Sequence, residues 1–137
     1  MRSMAVTTVR EAIAEALRAE GVEVLFALMG DGNLELICDM ADLGVRVVFG
    51  RHEQGVVAMA DGYARFTGHQ AVATVTQGPG LTNAATSLAV AQRHPSPVLL
   101  LAGDVPLGDL HNPQGFQQAA FAALTPGQAC GWSRGGR

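Results

Sequence analysis

Arg51 to Arg65 read R-H-E-Q-G-V-V-A-M-A-D-G-Y-A-R, the most informative stretch of the chain. It places one acid, Glu53, at the start of a helix made mostly of small and apolar residues. The helix follows a strand-like run, Val45 to Phe49. Glu53 therefore stands at the carboxyl end of a strand, where open α/β sheets bind ligands. The bland alternative is a glutamate favoured by the positive helix N-terminus, a surface effect of roughly 0.3–1 kcal/mol. His52 and Glu53 do not make a zinc-protease motif, because no second histidine follows four residues after the first.

Working outward from this helix, apolar period and breakers set the other elements. Val9, Ile13, Ala16 and Leu17 recur at helical spacing behind Thr7 or Thr8 as an N-cap, and that helix ends at Gly21. Val22 to Met29 reads as a strand, Leu34 to Met40/Ala41 as a helix closed near Gly44, and Val45 to Phe49 as the second strand. The helix from Glu53 to Phe66 stops by Gly68. Ala71 to Thr76 is a strand, and Leu81 to Arg93 a helix that stops before Pro95. Val98 to Ala102 is the fourth strand, and residues 115 to 124 start another helix after a long loop. Helices alternating with near-continuous apolar strands predict a doubly wound parallel sheet covered on both faces. From Thr125 to Arg137 the apolar period is lost. That stretch reads either as a frayed tail or as a place where the chain is truncated or out of frame.

Composition narrows the function classes. The 137 residues suit one domain, and a chain 48% hydrophobic and 15% charged buries a substantial core. Net charge is −3 with no basic run, which argues against nucleic-acid binding by counterion release. All nine basic residues are arginine. Cys38 and Cys130 are far apart with no C-x-x-C, so a zinc site or disulfide framework is not expected, and a reducing compartment fits. The first residues lack an apolar signal core, and runs such as Val98 to Ala102 are too short to span a bilayer. The expectation is a cytoplasmic protein with no membrane partner.

A second turn has the character of a ligand loop. T-Q-G-P-G-L-T-N, Thr76 to Asn83, also follows a strand and opens a helix. Gly78-Pro79-Gly80 lets backbone approach a ligand closely, and Thr82 or Asn83 stands behind it; a plain tight turn with a cap is the alternative. Gly30-Asp31-Gly32-Asn33 looks like the G-D-G that opens a Mg²⁺–diphosphate motif. Such a motif needs a later asparagine pair as oxygen ligands, and only Asn83 and Asn112 follow. The metal reading fails on ligand count and leaves a strand-to-helix turn at the same sheet edge. No G-x-G-x-x-G follows the first strand and no G-x-S-x-G occurs.

Together these segments resemble the N-terminal, pyrimidine-binding domain of thiamine-diphosphate-dependent enzymes, above all the catalytic subunit of acetolactate synthase. The matching stretches are V-L-F-A-L-M-G-D-G-N, R-H-E-Q-G-V-V-A-M-A-D-G-Y-A-R, V-T-Q-G-P-G-L-T-N-A-A-T and L-L-L-A-G-D-V-P, with a weaker match at G-F-Q-Q. They cover about residues 7 to 124. The resemblance implies a thiamine-diphosphate-binding fold of the pyrimidine type over residues 1–124, incomplete at its end, with residues 125–137 an irregular tail. It implies that Glu53 hydrogen-bonds a pyrimidine ring nitrogen and favours the imino tautomer. That tautomer takes the proton from the thiazolium carbon, which then attacks the carbonyl of a 2-oxo acid.

By position, the resemblance puts Met29, Gly30 and Asp31 along the pyrimidine pocket and Pro79 and Asn83 on its next wall. Phe116 and Gln117 would reach toward cofactor or substrate. Met29 and Asp31 stand where acetolactate synthases usually show Pro and Gly, and Gln77 replaces the usual Ser, which leaves the 2-oxo acid open. The family's diphosphate-binding domain is not in this sequence. Thiamine diphosphate is the expected cofactor, with Mg²⁺ held only through that domain. The expected partner is a diphosphate-binding domain or subunit in a homo- or hetero-oligomer. A catalytically inactive fragment and a non-enzymatic α/β ligand-binding module are the alternatives.

Overall fold

The computed structural model describes residues 8–104. Their order is α1 (Val9–Ala19), β1 (Val24–Ala27), α2 (Leu34–Asp42), β2 (Arg46–Phe49), α3 (Glu53–Thr67), β3 (Ala71–Val75), α4 (Pro79–Arg93) and β4 (Val98–Ala102). The strands form one sheet in the order β2-β1-β3-β4, and every neighbouring pair is parallel. The alternation expected from the sequence is therefore present. The helix expected at residues 115–124, the tail at 125–137, Phe116 and Gln117 lie outside the described residues.

Strand side chains alternate between two cores, as a period of two dictates. Leu25, Ala27 and Val72 pack with Ala14 of α1 and Ile37 and Met40 of α2. Phe26, Ala71, Ala73 and Val75 pack with Val56, Val57, Ala60 and Ala64 of α3 and Ala84 of α4. Helices thus cover both faces, with α1 and α2 on one and α3 and α4 on the other. The Phe26 ring meets Tyr63 with centroids 5.7 Å apart.

Element bounds differ from the sequence reading in instructive ways. The strand expected over 22–29 spans only Val24–Ala27. Val22 donates its N–H to Leu17 O at 3.1 Å and so closes the end of α1 instead of joining the sheet. Val45 does the same for α2 through Met40 O. Helix α4 starts at Pro79, not Leu81, because Gly78 at φ 59 turns the chain and proline suits the first helical position.

The α1 stripe is a larger correction. Thr8 caps the helix in a capping box with Glu11. Val9 and Ile13, expected to face inward, are 79% and 37% exposed, whereas Ala14 is fully buried. The α1 residue packed against α2 is Ala14, which lies in one core with Ile37 and Met40. On the same helix the Arg10 guanidinium pairs with Glu35 and, at 2.9 Å, with Asp39, both on α2.

On the other face, Asp61 of α3 is buried, and Arg65 one turn on grips both its oxygens, at 2.9 and 2.5 Å. Arg65 also reaches Ser96 Oγ at 3.3 Å, just before β4. Burial pushes the Asp61 carboxyl up, but hydrogen bonds from Arg65 and Ser96 and the positive charge of Arg65 outweigh it, so its pKa lies below the ordinary value. A depressed carboxylate pKa stabilises the fold above the unfolded-state value, and that contribution is lost as pH falls through the folded-state value. Urea melts are therefore expected to show wild type weakening below about pH 4 more steeply than Asp61→Asn. Parallel pH profiles would show that the Asp61–Arg65 pair contributes nothing to acid stability.

Candidate functional site

Neighbouring strands β1 and β3 send their chains to opposite faces, β1 into α2 and β3 into α4. A crevice opens at the carboxyl edge where connections diverge in this way, which is where open α/β sheets take ligands. Three turns meet here: Leu28–Asn33 after β1, Thr76–Gly78 after β3, and Gly103 after β4. The start of α3, reached from β2, lies beside them.

These turns pack closely on one another, and glycine is what permits it. A Cβ at Gly30 would lie 2.6 Å from Thr76 Cβ. One at Gly32 would overlap the Gln77 side chain, and one at Gly103 would overlap the Gly32 backbone. Gly32 donates its N–H to Thr76 Oγ1 at 3.3 Å, and Thr76 Oγ1 donates to Gln77 Oε1 at 2.7 Å.

Asn33 fastens the turn to the sheet. It is 3% exposed. Its Oδ1 accepts from Gly30 N at 2.8 Å, while Nδ2 donates to Leu28 O at 3.1 Å and Thr74 Oγ1 at 3.2 Å. Thr74 Oγ1 in turn donates to Leu101 O at 3.0 Å, so β1, β3 and β4 are linked through two side chains. The sequence reading weighed Asn33 only inside a metal motif and missed this role. The signal was present: an asparagine three residues after a glycine, before a helix, is the pattern of a side chain bonding back to its own turn.

Glu53 is the first residue of α3, and its side chain is 14% exposed. His52 is the N-cap, its Nδ1 accepting from Gln54 N at 3.2 Å. Asn83 of α4 donates Nδ2–H to Glu53 Oε2 at 3.2 Å. A Cβ on Gly80 would lie 3.8 Å from Glu53 Oε1. Of the residues singled out from sequence, the structure thus brings Glu53, Gly80 and Asn83 together, with Pro79 exposed at the head of α4. Met29, Gly30 and Asp31 occupy the turn after β1; Met29 is 52% exposed and Asp31 exposed. Among the described residues no group of three or more His, Cys, Asp or Glu lies close enough to hold a metal ion. No helix among them is long and apolar enough to cross a membrane.

These elements make a doubly wound α/β domain with the Glu53 carboxylate at the carboxyl edge of its sheet. Residues 7–125 match the model of the family described as thiamine pyrophosphate enzyme, N-terminal TPP binding domain, and the chain belongs to that family. The 2-hydroxyacyl-CoA lyase 2 of Mus musculus is 50% identical over 93 residues, which cover 68% of this chain and 15% of that protein. The acetolactate synthase large subunit of Haemophilus influenzae is 38% identical over 116 residues, covering 84% of this chain and 20% of that one. Among solved structures, the thiamine diphosphate-dependent 4-hydroxybenzoylformate decarboxylase of Rhodococcus jostii superimposes with a TM-score of 0.71 at 33% identity, over 76% of this chain and 20% of that one. The chain thus spans no more than about a fifth of the length of these relatives.

Asn33 generates a direct test. Asn33→Ala removes the partner of the part-buried Gly30 N–H and Leu28 carbonyl and of the buried Thr74 hydroxyl, and a buried group left unsatisfied costs about 1–3 kcal/mol. Urea unfolding is expected to show a loss of at least that size. Asn33→Asp, which keeps the acceptor but loses both donors, is also expected to destabilise. A change within about 0.5 kcal/mol for Asn33→Ala would place it among ordinary surface substitutions.

Proposed function

We propose that this chain supplies the pyrimidine-binding half of a thiamine diphosphate site in an acetolactate synthase-like enzyme acting on 2-oxo acids. The observation that carries the reading is the Glu53 carboxylate, sheltered at the carboxyl edge and held by Asn83 beside the side-chain-free Gly80. The donor set fits the group. A carboxyl oxygen suits a ring nitrogen that shares a proton, and glycine backbone lets a flat aromatic ring approach. When bound, thiamine diphosphate supplies the carbon nucleophile and electron sink for making or breaking a bond beside a carbonyl.

The chain's own residues take the following roles. Glu53 holds or gives up the proton shared with the pyrimidine nitrogen. Met29, Gly30, Asp31 and Pro79 border the ring, and Asn83 stands on the next wall. Phe116 and Gln117 are assigned to cofactor and substrate on sequence grounds. The diphosphate and its Mg²⁺ are held by a diphosphate-binding domain or subunit, which makes a homo- or hetero-oligomer the working form. The names of the relatives, a lyase, a synthase and a decarboxylase, speak for an enzyme, which we assign to the lyase or transferase type, and the sequence departures at Met29, Asp31 and Gln77 bear on which 2-oxo acid is taken.

Two measurements test this. The 137-residue chain alone is expected to show no micromolar, Mg²⁺-dependent binding of thiamine diphosphate by calorimetry. Once a diphosphate-binding domain is supplied by fusion or as a partner chain, Glu53→Gln should retain the cofactor but slow thiazolium proton exchange by about 10²–10⁴-fold, the usual cost of losing one general acid–base group. Equal exchange rates in wild type and Glu53→Gln would return Glu53 to the status of a helix-end charge.

A further inference from the structure

We infer that one face of α4 is the positioning element for Glu53, with Asn83 fixing which carboxylate oxygen faces the crevice. The inference rests on the functional reading above and assigns Asn83 a task toward Glu53, where the sequence gives it only a place on the pocket wall. Gly80, Asn83, Ala84 and Ser87 follow the i, i+3, i+4, i+7 spacing that lines one helix face. Each meets α3 or its core. Gly80 lies beside Glu53 Oε1, which a Cβ there would meet at 3.8 Å in ordinary contact, and Asn83 donates to Glu53 Oε2. Ala84 is fully buried in the core shared with α3, and Ser87 Oγ donates to Gln54 O at 2.8 Å. The backbone of the first α3 turn and the side chain that matters on it are therefore both held from α4.

The other candidate for holding Glu53 is His52, whose Nδ1 stands 4.0 Å from Glu53 Oε2. That nitrogen already accepts the Gln54 N–H at 3.2 Å, so its lone pair points at the backbone and it has no proton for the carboxylate. Among the described residues, Asn83 is the side chain that donates to this carboxylate. With Oε2 engaged, Oε1 is the oxygen left on the Gly80 side. A glutamate at a helix start would otherwise fold back on the free N–H groups of its own first turn, as a capping acid does. His52 occupies one of those N–H groups and Asn83 draws the carboxylate away from the rest.

The test has two arms. The first uses NMR on the full chain and needs no cofactor. In wild type the two Asn83 Nδ2 protons should be well separated, because one is bonded to a carboxylate, and in Glu53→Ala they should collapse toward the positions of a solvated amide. Identical Asn83 side-chain signals in the two proteins would overturn the inference. The second arm uses the protein reconstituted with a diphosphate-binding domain, thiamine diphosphate and Mg²⁺. Asn83→Ala is expected to slow thiazolium proton exchange about tenfold, the size of one charge-assisted hydrogen bond, and by more than it weakens the cofactor Kd. Asn83→Asp keeps the volume but sets a like charge against Glu53, and should slow exchange further than Asn83→Ala. If Glu53→Gln slows exchange and Asn83→Ala does not, the positioning role fails while the functional reading stands. If Glu53→Gln has no effect, the functional reading fails, and the NMR arm alone decides whether Asn83 holds the carboxylate.

Discussion

The carboxyl edge of this sheet depends on one buried side chain. Asn33 makes three hydrogen bonds, two within its own turn and one to Thr74, and Thr74 passes the connection to Leu101 on β4. A buried polar group stabilises only when its bonds are complete, and here they are complete. The consequence is geometric. With Asn33 anchored, Gly30 and Gly32 are pressed against Thr76 and Gln77, and Gly103 against Gly32. Three separate chain segments become one rigid wall.

The second half of the site is built on the opposite face by a different device. Helices α3 and α4 contribute Ala60, Ala64 and Ala84 to one core, and Ser87 Oγ of α4 bonds the Gln54 carbonyl of α3. Gly80 extends that closeness to the first turn of α4. The carboxylate of Glu53 is consequently met by a helix rather than by water alone. A site of this kind rests on regular elements, where positions are held more precisely than on loops.

Ion pairs tie neighbouring elements together away from the crevice. Arg10 links α1 to α2, and the Asp61–Arg65–Ser96 group ties α3 to the approach of β4. Exposed pairs such as those of Arg10 contribute little to stability, whereas the packing of Ala14 against Ile37 and Met40 buries the α1–α2 contact.

Periodicity in the sequence was enough for the order of elements and for the parallel sheet, because apolar runs and glycine or proline breakers act locally. The place of Glu53 was legible for the same reason: a strand, a cap and a helix start are neighbours in the chain. Element ends were less legible. Val22 and Val45 are as apolar as strand residues, yet their N–H groups close the preceding helices. What only the tertiary structure decided is who holds whom. Asn33 to Thr74 spans 41 positions and Asn83 to Glu53 spans 30, and no local pattern announces a hydrogen bond across such distances. Those pairings exist because the sheet order β2-β1-β3-β4 brings the turns after β1 and β3 side by side and places α3 against α4.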